Sequence, residues 1–409
     1  MGAPRLELVL QDLYARVPRG IELGLASMHA ACTRFDFPER AYEAVHIAGT
    51  NGKGSTAAMV ERIAREAGKK TGLYTSPHLH RFAERIRVGG EPLDDAVLAE
   101  LLHDVLRREP GLTFFEAATL TAFLAFREAR VDLAVLEVGL GGRLDATNVI
   151  PSPRSAAITR IAFDHQDKLG NTLPEIAREK AAIAKPGLDI VLGPMSAEVE
   201  SAIVEVASRA GATTSRAAEL AAGANIAHIG LPGAHQLDNA RIAWVIGERL
   251  GIAPETRARG IANVTWAGRL ERLETAEGPV LLDAAHNPDG AGSLAEQLGS
   301  LQARGALVPS ETALIFGALA DKAWPNMIDR IAPFAATRIY VTPKGRKPAD
   351  PRAIAARCAG LVAGSFEEAI AEARTRVGRG LVLVTGSIFL VGEARGKLLG
   401  IEGDPPVAL

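Results

Sequence analysis

The residues most able to do chemistry lie in segment 45–56, which reads VHIAGTNGKGST. An apolar run typical of a β-strand stops at Gly49, glycines surround Lys53, and a helical pattern opens at Ser55. Glycines let backbone N–H groups approach phosphate oxygens, and a helix N-terminus adds positive potential. The lysine supplies a point charge and the serine a hydroxyl ligand for Mg²⁺, so the segment predicts a nucleoside triphosphate site. Gly54 departs from the strict P-loop, and an ordinary turn before a helix is the alternative.

Polar side chains also follow three other predicted strands. Ser76 and His78 follow the run 72–75, Glu137 follows 133–136, and the pair at 164–165, Asp-His, follows 156–163. Ligands in open α/β sheets bind beyond the carboxyl ends of the strands, so these groups converge if their strands are neighbours. Few protein ligands beside a triphosphate suit Mg²⁺. The pattern predicts a metal site from Ser55, Ser76, Glu137 and His165, whereas a rim carboxylate, a strand cap and a Ser-Pro turn are the alternatives.

Two further loops follow predicted strands. The loop 139–145, GLGGRLD, permits close backbone approach with Arg143 or Asp145 reaching a ligand, but its spacing equally fits a flexible crossover. The loop 283–288, DAAHNP, puts an acid, an imidazole and an amide at a strand end, which favours a binding loop over a plain turn. Lys180, by contrast, has no local feature that distinguishes it from a surface lysine.

The elements that must position these loops alternate between apolar β-type runs and amphipathic helical runs. That alternation predicts an α/β fold with a mostly parallel sheet and crossover helices. A capping box at Thr172 predicts a helix that carries Lys180 and stops at 185–187. A second βα series starts near Trp266, so we expect two domains, 1–264 and 265–409.

Composition narrows the class of protein. The chain has 409 residues and a net charge of −2, so no basic field indicates nucleic acid or an anionic membrane. Cys32 and Cys358 are too far apart to suggest a zinc pattern or a disulfide framework. No apolar stretch is long enough to span a bilayer, and Glu7 and Asp12 interrupt the place of a signal peptide core. We therefore expect a cytoplasmic enzyme.

Taken together, the motifs closely resemble the folylpolyglutamate synthase/dihydrofolate synthase family, a branch of the Mur ligase superfamily. The resemblance runs from about His46 to Leu390. The family has loops of the GKGS type, which accounts for Gly54. The motifs that carry the resemblance are HIAGTNGKGS (46–55), YTSPHL (74–79), LEVGLGGRLDATN (136–148), DH (164–165), EIAREKA (175–181), PGAHQLDNA (232–240), GRLE (268–271), DAAHNP (283–288) and GALADK (317–322).

The resemblance implies a P-loop ATPase domain of the Mur ligase central type, followed by a smaller Rossmann-like α/β domain. It implies ATP, one or two Mg²⁺ ions and a carbamylated Lys180. The implied catalytic residues are Lys53, Lys180, His165 and Arg269, and the implied metal ligands are those predicted above. The implied ATP-binding residues are Gly49, Thr50, Asn51, Gly52, Lys53, Gly54, Ser55, Asn239, Arg269, Asp283 and His286, with ATP in the domain cleft. The implied substrate residues are Ser76, Pro77, His78 and Arg81 for the pterin, and Ser387 for glutamate.

The implied reaction is ATP-dependent addition of L-glutamate to a pterin carboxylate, on dihydropteroate, tetrahydrofolate or both, through an acyl phosphate. The resemblance also implies a monomer that binds small molecules, with no nucleic acid and no membrane. One alternative is another Mur-type amide ligase, such as one of peptidoglycan-precursor synthesis, but those enzymes place a UDP-sugar domain before the phosphate loop. The other is a P-loop kinase or regulatory ATPase, which leaves the second βα series unexplained. The sequence does not decide between one synthase activity and both.

Overall fold

The computed structural model describes residues 4–17, 24–345 and 347–404. The chain divides into two compact units. The first contains the residues up to Gly230 together with Gln236–Thr265, and the second contains Leu231–His235 together with the residues from Trp266 onward. The segment Leu231–His235 thus joins the second unit although it precedes the last helices of the first.

The strands of the first unit form an eight-stranded sheet within the described residues. They are β1 (Glu43–Ala48), β2 (Thr71–Tyr74), β3 (Ile86–Val88), β4 (Glu91–Pro92), β5 (Leu133–Glu137), β6 (Ser155–Ile158), β7 (Asp189–Leu192) and β8 (Thr213–Arg216). The order is β4-β3-β2-β5-β1-β6-β7-β8. From β2 to β8 the pairs are parallel, whereas β3 and β4 add an antiparallel edge. The central strands are continuous apolar runs because both faces of a parallel sheet are covered.

Helices cover this sheet and supply its crossovers. They are α1 (Leu6–Tyr14), α2 (Ala26–Arg34), α3 (Lys53–Glu66), α4 (Asp95–Arg108), α5 (Phe114–Glu128), α6 (Gln166–Leu169), α7 (Leu173–Ala181), α8 (Ala197–Arg209), α9 (Ala217–Leu220), α10 (Gln236–Arg249) and α11 (Pro254–Ala262). Helix α3 packs against α10 and α11, and α7 packs against α8. The predicted capping box is confirmed, since the Thr172 hydroxyl accepts from Glu175 N and the Glu175 carboxylate accepts from Thr172 N.

The second unit has a six-stranded sheet within the described residues. Its strands are β9 (Glu271–Thr275), β10 (Gly278–Asp283), β11 (Thr312–Phe316), β12 (Thr337–Tyr340), β13 (Leu361–Val362) and β14 (Leu381–Thr385), in the order β13-β12-β11-β14-β10-β9. Its helices are α12 (Pro288–Ala303), α13 (Trp324–Ile331), α14 (Pro351–Arg357), α15 (Phe366–Val377) and α16 (Ile388–Leu399). Only β9 pairs antiparallel, and an apolar core lies between β11, β12 and the helices α12 and α13. Among the described helices of the whole chain, none has the length and apolarity to cross a membrane.

Two predicted boundaries are wrong. The strand expected over 156–163 ends at Ile158, because beyond Thr159 the backbone groups of Arg160 and Ala162 bond Thr50 of the glycine loop instead of a neighbouring strand. The helix expected to stop at 185–187 ends at Ala181, and Ala184 N then bonds Ala181 O in a turn. Both differences shorten an element whose end lies beside the predicted site.

Candidate active site

The sheet order brings four polar strand ends side by side. Strands β2, β5, β1 and β6 are consecutive neighbours and run parallel. Ser76, Glu137, the glycine loop 49–54 and the segment 159–165 therefore follow the carboxyl edge of one sheet. The adjacency that the sequence analysis could only assume is confirmed, and it is the arrangement in which α/β sheets bind ligands.

Two glycines of the glycine loop, Gly49 and Gly52, lie so close to neighbouring side chains that no Cβ fits there. Gly49 has φ +143°, and a Cβ there would lie 1.9 Å from Thr159 Oγ1. Gly52 has φ +89°, and a Cβ there would lie 2.4 Å from Asn239 Oδ1. Thr159 Oγ1 also donates to Asn51 O at 2.7 Å. The loop leads directly into α3, whose first residue is Lys53, so its backbone N–H groups and the helix N-terminus form an anion-binding end.

Lys53 and Glu137 meet at the mouth of this loop. Lys53 Nζ donates to Thr50 O at 3.1 Å and lies 3.8 Å from Glu137 Oε1. The other carboxylate oxygen accepts from Ser76 N at 3.1 Å. Glu137 is buried, so its charge needs compensating cations, and the lysine provides one of them.

The donor set around Glu137 fits a magnesium ion held partly by phosphate. It offers one buried carboxylate, which accepts from the backbone of Ser76, and Ser55 and Ser76 carry the hydroxyls predicted as further ligands; Mg²⁺ bound beside a triphosphate uses few protein ligands. Ser55 lies in the first turn of α3, with Gln236 Nε2 3.5 Å from its Oγ. In the described part of the chain, no three His, Cys, Asp or Glu side chains cluster as a metal site.

Helix α10 supports the loop from behind through two buried amides. Asn239 Oδ1 accepts from Thr56 Oγ1 at 3.3 Å, and its Nδ2 donates to Gln236 Oε1 at 2.9 Å. Gln236 in turn reaches the Ser55 hydroxyl. The predicted residue Asn239 is thus part of the loop's wall. The sequence analysis missed Gln236, although it lies one turn before Asn239 within the PGAHQLDNA motif.

Lys180 is buried at the end of α7, close to the charges of this site. The pKa of Lys180 falls to about 7, chiefly because the amine is buried and also because the Lys53 ammonium is near, while the carboxylates of Asp164 and Asp145 oppose the fall. The loop 139–148 packs against this helix end, since a Cβ at Gly142 would lie 2.8 Å from Lys180 O. No local sequence feature distinguishes Lys180 from a surface lysine. The structure nevertheless buries it close to Lys53, Asp164 and Asp145, beside the predicted metal site.

His165 lies at the start of α6 with φ +49°, where its N–H donates to Asp164 Oδ1 at 3.0 Å. Its Nε2 lies 3.8 Å from the same oxygen, and the side chain is about one third exposed. The described contacts place His165 beside Asp164, and its role as a metal ligand stays a prediction.

The predicted substrate segment contains a buried cation. Arg85 Nε donates to His78 Nδ1 at 2.8 Å, and the guanidinium lies against the rings of Phe82 and Phe114. Burial, Arg85 and His80 hold the pKa of His78 well below its usual range, so the ring is neutral. Arg81, which we predicted to contact substrate, pairs with Asp95. The peptide bond between Ser76 and Pro77 is cis.

The segment from Ser76 to Arg87, where the resemblance implies a pterin-side substrate loop, contains one buried residue that was not singled out. Arg85 is among the least exposed charged residues of the unit, yet it was not among the predicted site residues. In the sequence, Arg85 belongs to the arginine-rich run 81–87. That run has four charged residues, and nothing in it shows which of them is buried.

Asp283, His286 and Ser387 lie at the carboxyl ends of the neighbouring strands β10 and β14, and Arg269 precedes β9, whose start pairs with the end of β10. The Asp283 carboxylate accepts from Leu270 N and Ala285 N, both at 3.0 Å. Burial raises the pKa of Asp283, whereas the adjacent Arg269 guanidinium opposes that rise. His286 Nδ1 lies 3.0 Å from Ala284 O. These contacts bring Arg269 and Asp283 together.

Ser387 is buried at the start of α16. Its hydroxyl accepts from Phe389 N at 3.2 Å, which makes it the N-cap of that helix. The described contact is structural, and a role for Ser387 in binding glutamate stays a prediction.

Comparison with known proteins agrees with this architecture. Residues 47–247 match the Mur ligase middle domain, and residues 268–388 match the glutamate ligase domain of Mur ligases. The two matched ranges and the loop geometry define a Mur-type ligase. Dihydrofolate synthase/folylpolyglutamate synthase of Bacillus subtilis is 35% identical over 79% of this chain and 82% of its own.

Two solved structures are similar over nearly the whole chain. Escherichia coli FolC in complex with DHPP and ADP has a TM-score of 0.86 and 28% identity, covering 98% of each chain. The bifunctional folylpolyglutamate synthase/dihydrofolate synthase of Yersinia pestis, complexed with AMPPNP and a Mn ion, has a TM-score of 0.83 and 28% identity, covering 97% of this chain and 98% of its own. The chain belongs to the folylpolyglutamate synthase/dihydrofolate synthase family.

Proposed function

We propose that this protein is an ATP-dependent ligase that adds L-glutamate to a pterin carboxylate, using dihydropteroate, tetrahydrofolate or both. The observation that carries the proposal is the junction of Lys53, Glu137 and Ser76 N at the mouth of the glycine loop. Through these contacts the glycine loop and the N-terminus of α3, which can bind phosphate, meet the buried carboxylate of Glu137. The same carboxylate contacts Ser76, where the segment predicted to bind substrate begins. The relatives crystallised with ADP, DHPP, AMPPNP and Mn support ATP and a divalent ion as its ligands.

In the proposed reaction the pterin carboxylate attacks the γ-phosphorus of ATP, which releases ADP and leaves an acyl phosphate. The glutamate amine then attacks the acyl carbon, loses a proton and displaces inorganic phosphate. A carboxylate by itself is a poor acylating agent, so the phosphate serves as the leaving group.

The chain's residues act by orientation and by charge. The glycine loop and the N-terminus of α3 bind the β- and γ-phosphate oxygens. Lys53 compensates the charge that develops during phosphoryl transfer, and Glu137 holds Lys53 and the Ser76 backbone in register. Glu137, Ser55 and Ser76, with His165 as a further predicted ligand, would hold Mg²⁺, which would supply electrostatic stabilisation of the transferring phosphate.

We propose that Lys180 is carbamylated. Its amine is buried beside Lys53, where a second ammonium is unfavourable, so the neutral form that reacts with CO₂ is accessible. The product is an anion, which removes the repulsion between the two lysines and would suit a site that also takes a divalent cation. Carbon-13 NMR with [¹³C]bicarbonate tests this step: a carbamate resonance that is absent from Lys180→Met supports it, and a spectrum without that resonance contradicts it.

The remaining assignments are proposals that rest on the family. Arg269, Asp283 and His286 contact the nucleotide, and Ser387 lies near the glutamate site. The domains are 1–264 and 265–409, and the protein is a cytoplasmic monomer.

The proposed function is tested by ADP release from purified protein with ATP, Mg²⁺ and L-glutamate. Dihydropteroate and tetrahydrofolate are compared as acceptors, with a reaction lacking acceptor as the blank. We expect ADP and glutamylated pterin in equal amounts with at least one acceptor, and none with Lys53→Ala. Absence of ADP with both acceptors would refute the proposal, and full activity of Lys53→Ala would remove the loop from it.

A further inference from the structure

The first residue of the HIAGTNGKGS motif has no part in the phosphate site described above. His46 lies in the middle of β1, three residues before Gly49, and its side chain is completely buried. Burial lowers the pKa of His46 to about 3, so the ring is neutral. Burying a polar imidazole in the central strand of a sheet costs desolvation free energy that a leucine would not cost. The ring is therefore expected to make a hydrogen bond that a leucine could not make.

The contacts of His46 form a directed chain. Its Nε2 lies 2.8 Å from Thr147 Oγ1, and Thr147 Oγ1 donates to the Asp145 carboxylate at 2.5 Å. A threonine hydroxyl has a single proton, so it must accept from the histidine. The ring therefore carries its proton on Nε2, and Nδ1 has no hydrogen-bond partner among the described residues.

Asp145, at the end of this chain, closes the loop 139–148. Its carboxylate accepts from Leu140 N at 2.9 Å and from Thr147 N at 3.0 Å, which ties the two ends of the loop together. Removing the Thr147 hydroxyl would take one donor from the carboxylate and leave the His46 N–H buried and unpaired, the costly case for a hydrogen bond.

The closed loop is in turn docked on the end of α7. Arg143 N donates to Glu179 O at 3.0 Å, and Asn148 Nδ2 donates to Ala182 O at 3.1 Å. These bonds lie on either side of Lys180 along the chain, and Gly142 packs on the Lys180 backbone between them. The loop thus fixes the backbone from which the Lys180 side chain extends.

We propose that His46 and Thr147 are positioning residues that hold Lys180 in place, by fixing loop 139–148 against the end of α7. The inference rests on the proposed function, because it assigns importance to the position of Lys180. Hydrogen bonds are directional and hold one register of the loop, whereas apolar contacts at the same place would allow it to slide.

The test compares Thr147→Val with Thr147→Ser and with Thr121→Val as a matched control. Thr121 is also completely buried, but its hydroxyl donates to Ala117 O of its own helix α5 and, among the described residues, to no other element. Two readouts are measured: amide hydrogen exchange at Leu140 and Arg143, and the steady-state constants of ADP release.

We expect Thr147→Val to exchange faster at both amides and to lose roughly 10–100-fold in kcat, as for other partners that orient a ligand group, with the KM for ATP unchanged. Thr147→Ser keeps the relay and is expected to restore both readouts, and Thr121→Val should behave as wild type. His46→Leu leaves the Thr147 bond to Asp145 intact, so it should show smaller changes in exchange rate and in kcat. It replaces Thr147→Val in the test if that variant does not fold.

Exchange and kcat that are equal in Thr147→Val and Thr121→Val would overturn the inference, as would a serine variant no better than valine. Unchanged exchange and kcat in His46→Leu would overturn it too. The two readouts separate this inference from the proposed function. A wild-type protein without ligase activity refutes the function, and the exchange measurement still decides whether the relay holds the loop.

Discussion

Replacing Gly52 by alanine tests the glycine loop against a control on the same helix. Gly52 precedes α3 with φ +89°, and Gly68 follows that helix with φ +80°. A Cβ at Gly68 meets no atom within 4 Å, whereas a Cβ at Gly52 would lie 2.4 Å from Asn239 Oδ1. The two substitutions therefore share backbone strain and differ only in what the new methyl group meets.

The expected losses follow from these geometries. A left-handed alanine costs about 1–2 kcal/mol, and the stiffer unfolded chain returns about 0.4–1 kcal/mol, so Gly68→Ala should lose roughly 1 kcal/mol. At Gly52, Asn239 must also move, which breaks its hydrogen bonds to Thr56 and Gln236. Two bonds at about 0.5–1.5 kcal/mol each bring the expected loss for Gly52→Ala to roughly 2–4 kcal/mol.

Urea unfolding measures both losses, and ATP titration with ADP release measures the consequence for function. We expect Gly68→Ala to keep wild-type affinity and turnover, because the loop is untouched. Gly52→Ala should lose most of its ATP affinity, because the methyl group and the displaced Asn239 occupy the loop. Equal ATP affinity in the two variants would refute the assignment of this loop as the phosphate site, whatever their stabilities.

Three further predictions concern charged and titratable groups. Glu137→Gln should raise the Mg²⁺ concentration for half-maximal ADP release by at least roughly tenfold while the protein stays folded by circular dichroism; an unchanged Mg²⁺ dependence would argue against the metal role. Because the pKa of His46 falls from 6.5 to about 3 on folding, stability is full above pH 6.5 and declines by up to about 1.4 kcal/mol per unit below it. Urea unfolding of His46→Leu should show a shallower acid loss, and an identical slope would contradict the burial of a neutral ring. Arg395→Met, which breaks the partly buried pair with Glu271, should lose about 1–2 kcal/mol, against less than about 0.5 kcal/mol for the exposed control Arg376→Met; equal losses would contradict the difference in burial.

The sequence was sufficient wherever a local pattern carries the information. The capping box at Thr172, the apolar runs of the central strands and the polar residues after them all have short-range signals. Adjacency of β2, β5, β1 and β6 had to be assumed from the sequence, and the structure supplies it.

Other features had no local signal. The strand expected to extend to residue 163 ends early because the backbone turns to another partner: Thr159 N still bonds Ala48 O of β1, but Arg160 O and Ala162 N bond Thr50 of the glycine loop. Arg85 and Gln236 belong to the site through contacts with residues on other elements, which the spacing of charges and amides does not reveal. Lys180 was found by resemblance to a family, because its burial depends on the docking of loop 139–148.

The central claim is that ATP serves to activate a pterin carboxylate for attack by glutamate. The most direct measurement uses an acceptor whose carboxylate is labelled with ¹⁸O, followed by mass spectrometry of the inorganic phosphate released with ADP. Formation of an acyl phosphate transfers a carboxylate oxygen to phosphorus, so we predict one ¹⁸O atom in each phosphate and an equal amount of glutamylated product. Unlabelled phosphate accompanying ADP release would contradict the account, because it would mean that water, and not the pterin carboxylate, receives the γ-phosphate.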